Sequence, residues 1–493
     1  MPPRGTTQQT SRARLSSVIK SARDTMRKDA GLNGDLDRLP QLSWLLFLRA
    51  FDAMETNREV WDDDFRPAII EKYRWRTWAG NPFLTGDDLL SFVNDELLPH
   101  LRGLKADRPG DPRNVLSALF KDIRNQMMSG YLLRDLLESL QKIDFTSSDD
   151  IHTMAFLYES ILREVRDAAG DSGEFYTPRP VIRFMVEQTH LKLGESILDP
   201  ACGTGGFLVE VLEELKKKSP KMSGQDQQQL WRDLRGVEKK PLPYLLCMMN
   251  LILHGVEAPT IVRDNALTRM LDEQGQKVDV VLTNPPFGGE EENSVAARFP
   301  TGVRTKETAW LFLHSVLTKL KPGGRCAIVL PNGVLFGEGA GTAIKEKLMK
   351  ECDLHTIVRL PQGVFAPYTQ IPANLLFFEK TGPTKETWFY QIDPPEGRKG
   401  YSKTKPMRYE EFADCAAWWG GPDRTDRVVT DHAWSVPIAD IVAAGYNLDL
   451  TNPASADDLT HRPPGDLIND LLVTEREIFS ILESLQKDLD GKV

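Results

Sequence analysis

The chain has 493 residues, of which 41% are apolar and 27% charged, and its formal net charge is −10. At roughly 100–200 residues per domain the length suggests about three units, and the composition is that of an ordinary globular protein. The acidic balance argues against a chain that grips a nucleic-acid duplex alone, because that grip relies on Lys and Arg neutralising phosphates. Local basic clusters or a partner would have to supply it.

The five cysteines, Cys202, Cys247, Cys326, Cys352 and Cys415, are scattered. There is no C-x-x-C pair and no His cluster at ligand spacing, so reduced thiols and no metal site are expected. No apolar run reaches the roughly 18 residues needed to span a bilayer. The N-terminus is basic and polar with no apolar stretch behind it, which argues against a secretory signal and predicts a cytoplasmic protein without membrane contact.

Residues 1–168 read as a helical N-terminal domain. In Leu42 to Met54, the residues Trp44, Phe47, Leu48, Phe51 and Met54 recur at three- and four-residue spacing and form one apolar face. Thr85 with Asp87 and Asp88 behind it predicts a helix start near Leu89. A further helix is expected over Thr153 to Arg166. No strand-like alternation of any length occurs here.

From 169 to 380 the pattern changes. Short apolar runs at Ser196–Leu198, Arg235–Val237, Pro259–Val262, Val278–Leu282, Arg325–Leu330, His355–Leu360 and Asn374–Glu379 alternate with helical stretches. That alternation predicts an α/β domain around a mainly parallel sheet, with ligands bound beyond the carboxyl ends of the strands. Residues 381–463, rich in Pro, Gly and Trp, read as irregular. Residues 464–493 read as one amphipathic helix, with Leu471, Ile478 and Leu485 seven apart and Leu482 and Leu489 beside them. Such a seam suits a partner helix or the protein's own body.

The first candidate site is Asp199-Pro200-Ala201-Cys202-Gly203-Thr204-Gly205-Gly206-Phe207, a strand end, a glycine turn and a helix start. Glycines let the backbone turn tightly and approach a ligand closely. A dinucleotide pyrophosphate would want free amides with no carboxylate beside them. S-adenosylmethionine has no phosphate and carries an ammonium, so Asp199 suits it better. Glu238, at the end of the next strand, is placed to accept from both ribose hydroxyls. Its spacing from the glycines is longer than usual because Lys216 to Gln229 reads as a polar insertion. Asp264, after the third strand, is a candidate for the adenine amino group. Upstream, Gly173-Glu174-Phe175-Tyr176-Thr177-Pro178-Arg179-Pro180 is a proline-stiffened helix start that could cover the methionine end of the ligand.

The second candidate site is Asn284-Pro285-Pro286-Phe287, directly after the Val278–Leu282 run. An exocyclic amine on an aromatic base is a poor nucleophile because its lone pair is delocalised into the ring. Two acceptors facing its two protons favour the pyramidal form and free that lone pair. The Asn284 side-chain oxygen supplies one acceptor and the Pro285 carbonyl the other, held rigidly because consecutive prolines fix φ. Phe287 offers a stacking face for a base, which must leave the duplex to reach such a site.

With both motifs in order, the sequence resembles the amino-methyltransferases. Gly173 to Arg179, Asp199 to Phe207, Leu251-Ile252-Leu253-His254-Gly255, and Lys321-Pro322-Gly323-Gly324-Arg325 through Pro331-Asn332-Gly333-Val334-Leu335-Phe336 resemble the modification subunits of type I restriction–modification systems. The resemblance implies a Rossmann-like methyltransferase domain with a helical N-terminal domain and a C-terminal partner helix. It implies S-adenosylmethionine at Glu174 to Arg179, Thr204 to Gly206 and Glu238, and N6-methyladenine in DNA as product. It also implies a separate specificity subunit, a second copy of the chain, and in some complexes a restriction subunit. Other readings stay open from the residues. One is a stand-alone methyltransferase acting on an amine of protein or RNA. Another is a subunit that senses the cofactor without catalysis. An NAD oxidoreductase would need a G-x-G-x-x-G turn, which is missing.

Overall fold

The computed structural model describes residues 17–107, 111–143, 145, 177–256, 258–273, 275–366, 369–454 and 475–476. The helix expected over 153–166, the residues Glu174, Phe175 and Tyr176, and the C-terminal helix expected over 464–493, apart from residues 475–476, lie outside these.

The described N-terminal residues contain helices and no strand. The longest, α1 (Asp35–Trp61), contains the predicted apolar face, and Trp44, Leu45 and Phe47 are fully buried in it. Phe120, on α2 (Pro112–Phe120), meets both Trp44 and Phe47 edge-on, with centroids 6.5 and 5.9 Å apart. α3 (Gly130–Gln141) starts at Ser129, whose hydroxyl accepts from the Leu132 amide. Thr85 does stand at a helix start, but its side chain makes no cap bond.

The remainder is built on a nine-stranded sheet of order β3-β2-β1-β4-β5-β7-β6-β8-β9. The strands are β1 (Ile197–Asp199), β2 (Leu234–Glu238), β3 (Thr260–Arg263), β4 (Val278–Thr283), β5 (Leu320–Pro331), β6 (Asp353–Arg359), β7 (Ala373–Glu379), β8 (Glu386–Gln391) and β9 (Ala433–Pro437). From β3 to β5 all neighbours are parallel. β7 then enters antiparallel between β5 and β6.

Successive strand residues face opposite layers, as the period of two requires. Ile197, Val280, Leu282 and Val329 face a core shared with the N-terminal helices and with α4 (Arg179–Gln188), α5 (Gly206–Lys218) and α7 (Pro241–Leu253). Leu198, Val237, Val281 and Ile328 face a second core under α8 (Ala266–Asp272), α9 (Thr308–Lys319) and α10 (Ala340–Glu351).

Two expectations need correction. The region read as irregular adds β8 and β9 to the sheet. β8 buries Thr387 and Phe389 fully, and Trp418 packs on Trp388 and Tyr390 from the other side. Its tryptophans serve the sheet, which a reading dominated by the surrounding Pro and Gly missed. The polar insertion between the glycines and Glu238 holds the end of α5 and most of an added helix, α6 (Gly224–Asp233). A capping box starts α6: the Ser223 hydroxyl accepts from the Asp226 amide, and the Asp226 carboxylate accepts from the Ser223 amide.

Candidate active site

β1 and β4 are adjacent and parallel, with Leu198 opposite Val281. Both candidate loops therefore leave the same edge of the sheet, from strands about 4.8 Å apart. This is the carboxyl edge, where open α/β sheets bind ligands.

The glycine loop is held by its own backbone. The Gly205 amide donates to the Cys202 carbonyl at 2.7 Å, and the Cys202 amide to Val237 of β2 at 3.1 Å. Gly205 has φ +81°, and a Cβ there would stand 2.9 Å from the Cys247 sulfur, so position 205 has neither the conformation nor the room for a side chain. Asn250 of α7 donates to the Thr204 carbonyl at 2.9 Å.

Two buried carboxylates flank this loop. Asp199 accepts from the Ala201 amide at 3.1 Å. Burial pushes its carboxyl up to about 7, against the lowering effect of its hydrogen bonds. Glu238 accepts from the amides of Gly203 at 3.0 Å and Lys240 at 2.8 Å, one on each oxygen. Burial raises its carboxyl as well. The added helix has thus left the register intact: Glu238 touches the glycine loop.

Asp264 stands next in line, its amide donating to the Glu238 carbonyl at 3.0 Å. Its side chain is half exposed and accepts from the Asn265 amide. Phe207, the second residue of α5, is 3% exposed and packs in the core. Arg179 donates to the Gly206 carbonyl at 3.2 Å, and Pro178 occupies the N-cap of α4, so the start of α4 reaches the glycine turn.

Asn284, Pro285, Pro286 and Phe287 line a cavity of about 680 Å³, within the range of small-molecule sites. The Asn284 amide nitrogen donates to the Thr177 hydroxyl at 3.0 Å, while its oxygen is buried without a partner among the described residues. The Gly288-Gly289 turn that follows is pinned by Thr308, whose amide and hydroxyl both donate to the Gly289 carbonyl, at 2.9 and 2.7 Å.

The cavity also contains residues the sequence reading did not single out. Phe365, from the loop between β6 and β7, meets Phe287 edge-on with centroids 5.5 Å apart. Trp310 of α9 forms another wall, backed by Gly337 and Gly341, where an added Cβ would lie 2.4 and 2.5 Å from the ring. Phe336, the end of the Pro331–Phe336 stretch that carries part of the family resemblance, is 53% exposed and stands at the cavity as well. No periodicity marks Phe365, and Trp310 reads as ordinary helix core.

An acidic glycine loop beside an aromatic-walled Asn-Pro-Pro-Phe pocket, at the carboxyl edge of this sheet, defines a Rossmann-like methyltransferase domain. The N-6 DNA methylase family matches residues 149–462, and the HsdM N-terminal domain matches residues 15–140. The methylase subunit of the type I restriction enzyme EcoEI from Escherichia coli is 49% identical over 96% of this chain and 97% of its own. The EcoKI methylase subunit from Escherichia coli K12 is 30% identical over 80% of this chain and 74% of its own. A crystal structure of a modification subunit assigned to a type I restriction enzyme of Vibrio vulnificus YJ016 superposes with a TM-score of 0.82 at 48% identity, covering 91% of this chain and 99% of that one. The chain belongs to the N-6 DNA methylase family, among the methylase subunits of type I restriction enzymes.

Proposed function

We propose that the chain transfers a methyl group from S-adenosylmethionine to the N6 amine of an adenine in DNA, using the Asn284–Phe287 pocket. The observation that carries this reading is the buried, partnerless Asn284 oxygen, an acceptor aimed at nothing among the described residues. A buried acceptor left unpaired costs about 1–3 kcal/mol, which is repaid when a donor arrives.

The cofactor fits the glycine loop by its donor set. A close backbone approach at Gly205, a buried carboxylate at Asp199 and a second at Glu238 suit a ligand with a cationic amino-acid end and ribose hydroxyls. Asp199 would hold the ammonium end, Glu238 the ribose, and the Thr177–Arg179 segment would cover the methionine part. When bound, the group supplies an electrophilic methyl on a sulfonium.

The protein's residues do the rest. The Asn284 oxygen and the Pro285 carbonyl accept the two protons of the target amine and localise its lone pair. Phe287 and Phe365 bound the base ring, and stacking of this kind contributes about 1–3 kcal/mol per base. Holding amine and methyl in line removes much of the entropic barrier. The amine proton passes to solvent after transfer, and the two carboxylates that line the cavity, Glu307 and Glu338, both stand exposed on that route.

The net charge of −10 fits a subunit that leaves sequence reading and much of the DNA grip to a separate specificity subunit. The methylating complex would then join two copies of the chain to one specificity subunit. The test is transfer of labelled methyl to duplex DNA by that complex. Wild type should yield N6-methyladenine and the Asn284→Ala complex on the order of 10²–10³-fold less per unit time, or lower still. Full activity in the variant would overturn the reading.

A further inference from the structure

Asn284 needs more than its identity. An amide presents an oxygen on one side and an NH₂ on the other, and only the oxygen can receive an amine proton. Turned over, the same side chain sets donor against donor and blocks the pocket. Backbone geometry cannot choose between the two, because they have the same shape. The choice falls to the groups on the two sides of the amide.

On the side away from the pocket lies one hydroxyl. Thr177, 107 residues upstream, accepts from the Asn284 amide nitrogen at 3.0 Å, and the oxygen faces the pocket. Thr177 immediately precedes Pro178, the N-cap of α4, whose φ is −56°. Proline restricts the backbone of the residue before it, so the hydroxyl stands on a stiff segment. The same segment carries Arg179, which donates to the Gly206 carbonyl of the glycine turn at 3.2 Å. One short stretch therefore touches both the cofactor loop and the catalytic amide.

We propose that Thr177 is a positioning residue that fixes the plane of the Asn284 amide. This rests on the proposed role of Asn284 and extends it. A threonine hydroxyl can donate as well as accept, so it would tolerate the reversed amide as well. The target amine breaks that tie, because its two protons stabilise only the oxygen-inward form. Thr177 holds the amide in the plane where that selection works. Without it, the amide rotates about its last torsion, which is broad for Asn, and the productive form is a minority.

The test compares Thr177→Val, which keeps shape and removes the hydroxyl, with Thr177→Ser, which keeps the hydroxyl. Each is assembled with its specificity subunit and DNA. Single-turnover methyl transfer is measured at saturating cofactor, together with the cofactor dissociation constant and the melting temperature. Base extrusion is followed by the fluorescence of 2-aminopurine at the target position. Thr177→Val should slow transfer at saturating cofactor about 10–100-fold, with base extrusion within about threefold of wild type; saturation removes any change in cofactor affinity that follows from its place beside the methionine end. Thr177→Ser should restore the rate to within about threefold. If Thr177→Val does not fold, Thr177→Ala, a smaller hydroxyl-free variant, takes its place with the same expectation.

Wild-type transfer in the hydroxyl-free variant overturns the proposal. So does a loss confined to cofactor affinity, which would make Thr177 a ligand contact only. Failure of the underlying reading looks different: Asn284→Ala would then retain activity whatever stands at 177.

Discussion

The two loops at the carboxyl edge of β1 and β4 leave neighbouring strands and are made of opposite materials. The β1 side is acidic and titratable: Asp199 and Glu238 are buried, with backbone amides on their oxygens. The β4 side presents neutral groups around the buried Asn284 oxygen: an amide, a proline carbonyl, and the rings of Phe287, Phe365 and Trp310, while its two carboxylates, Glu307 and Glu338, stand exposed. A cationic cofactor calls for the first and a neutral amine for the second. A carboxylate in place of Asn284 would bring in a buried charge that must be desolvated. The division predicts that the two sides fail separately.

The largest effect is expected at Asn284. Asn284→Ala should lower the single-turnover rate on the order of 10²–10³-fold or more, with cofactor affinity within about twofold of wild type by calorimetry. Next comes Asp199→Asn, which keeps the shape and removes the charge. It should weaken cofactor binding about 10–100-fold, the value of a charge-assisted hydrogen bond, while the rate at saturating cofactor falls much less. Phe365→Ala should raise the DNA concentration needed for half-maximal rate about tenfold through lost stacking, and reduce 2-aminopurine fluorescence change at the target. If Phe365→Ala instead weakened the cofactor, the two sides would not be separate.

A smaller effect concerns the stability of the protein without cofactor. Burial holds the Asp199 carboxyl at about 7 in the folded chain, above its ordinary value of 3.8. A raised carboxyl of this kind stabilises the fold at low pH, and that contribution is lost as pH rises through about 7. The Asp199→Asn variant, neutral at every pH, does not suffer the loss. Its melting temperature without cofactor, relative to wild type, should therefore rise by a few °C between pH 5 and pH 8. An unchanged difference would show that Asp199 is not held in a desolvated site.

Much of the acidic side was legible in the sequence, and less of the neutral side. Asp199, the glycines and Glu238 sit in one strand–turn–helix unit and at the next strand end, so local pattern placed them. The added α6 lengthened the spacing without moving Glu238 off the loop. Asn284 to Phe287 were equally plain, because two prolines after a buried run are hard to read otherwise. The walls around them were hidden. Phe365 lies in a loop with no repeat to mark it, and Trp310 sits on a helix whose residues are nearly all buried. Their meeting depends on β7 entering antiparallel between β5 and β6, a register no local window contains. The contact between Thr177 and Asn284 spans 107 residues and is equally invisible locally. β8 and β9 were missed for another reason. Their aromatic residues bury against Trp418 and each other, a use that composition rich in Pro and Gly disguised.

The most direct test of the division is a pH series on the wild-type complex, measuring cofactor affinity and the single-turnover rate at saturating cofactor on the same preparation. With ionised Asp199 holding the cofactor's ammonium, as proposed, affinity should fall about tenfold from pH 8 to pH 6, with an inflection near 7. The rate should stay flat across that range, because no amide or carbonyl titrates there. A rate that inflects near 7 while affinity stays level would contradict the account, placing the titrating group at the amine and not at the cofactor.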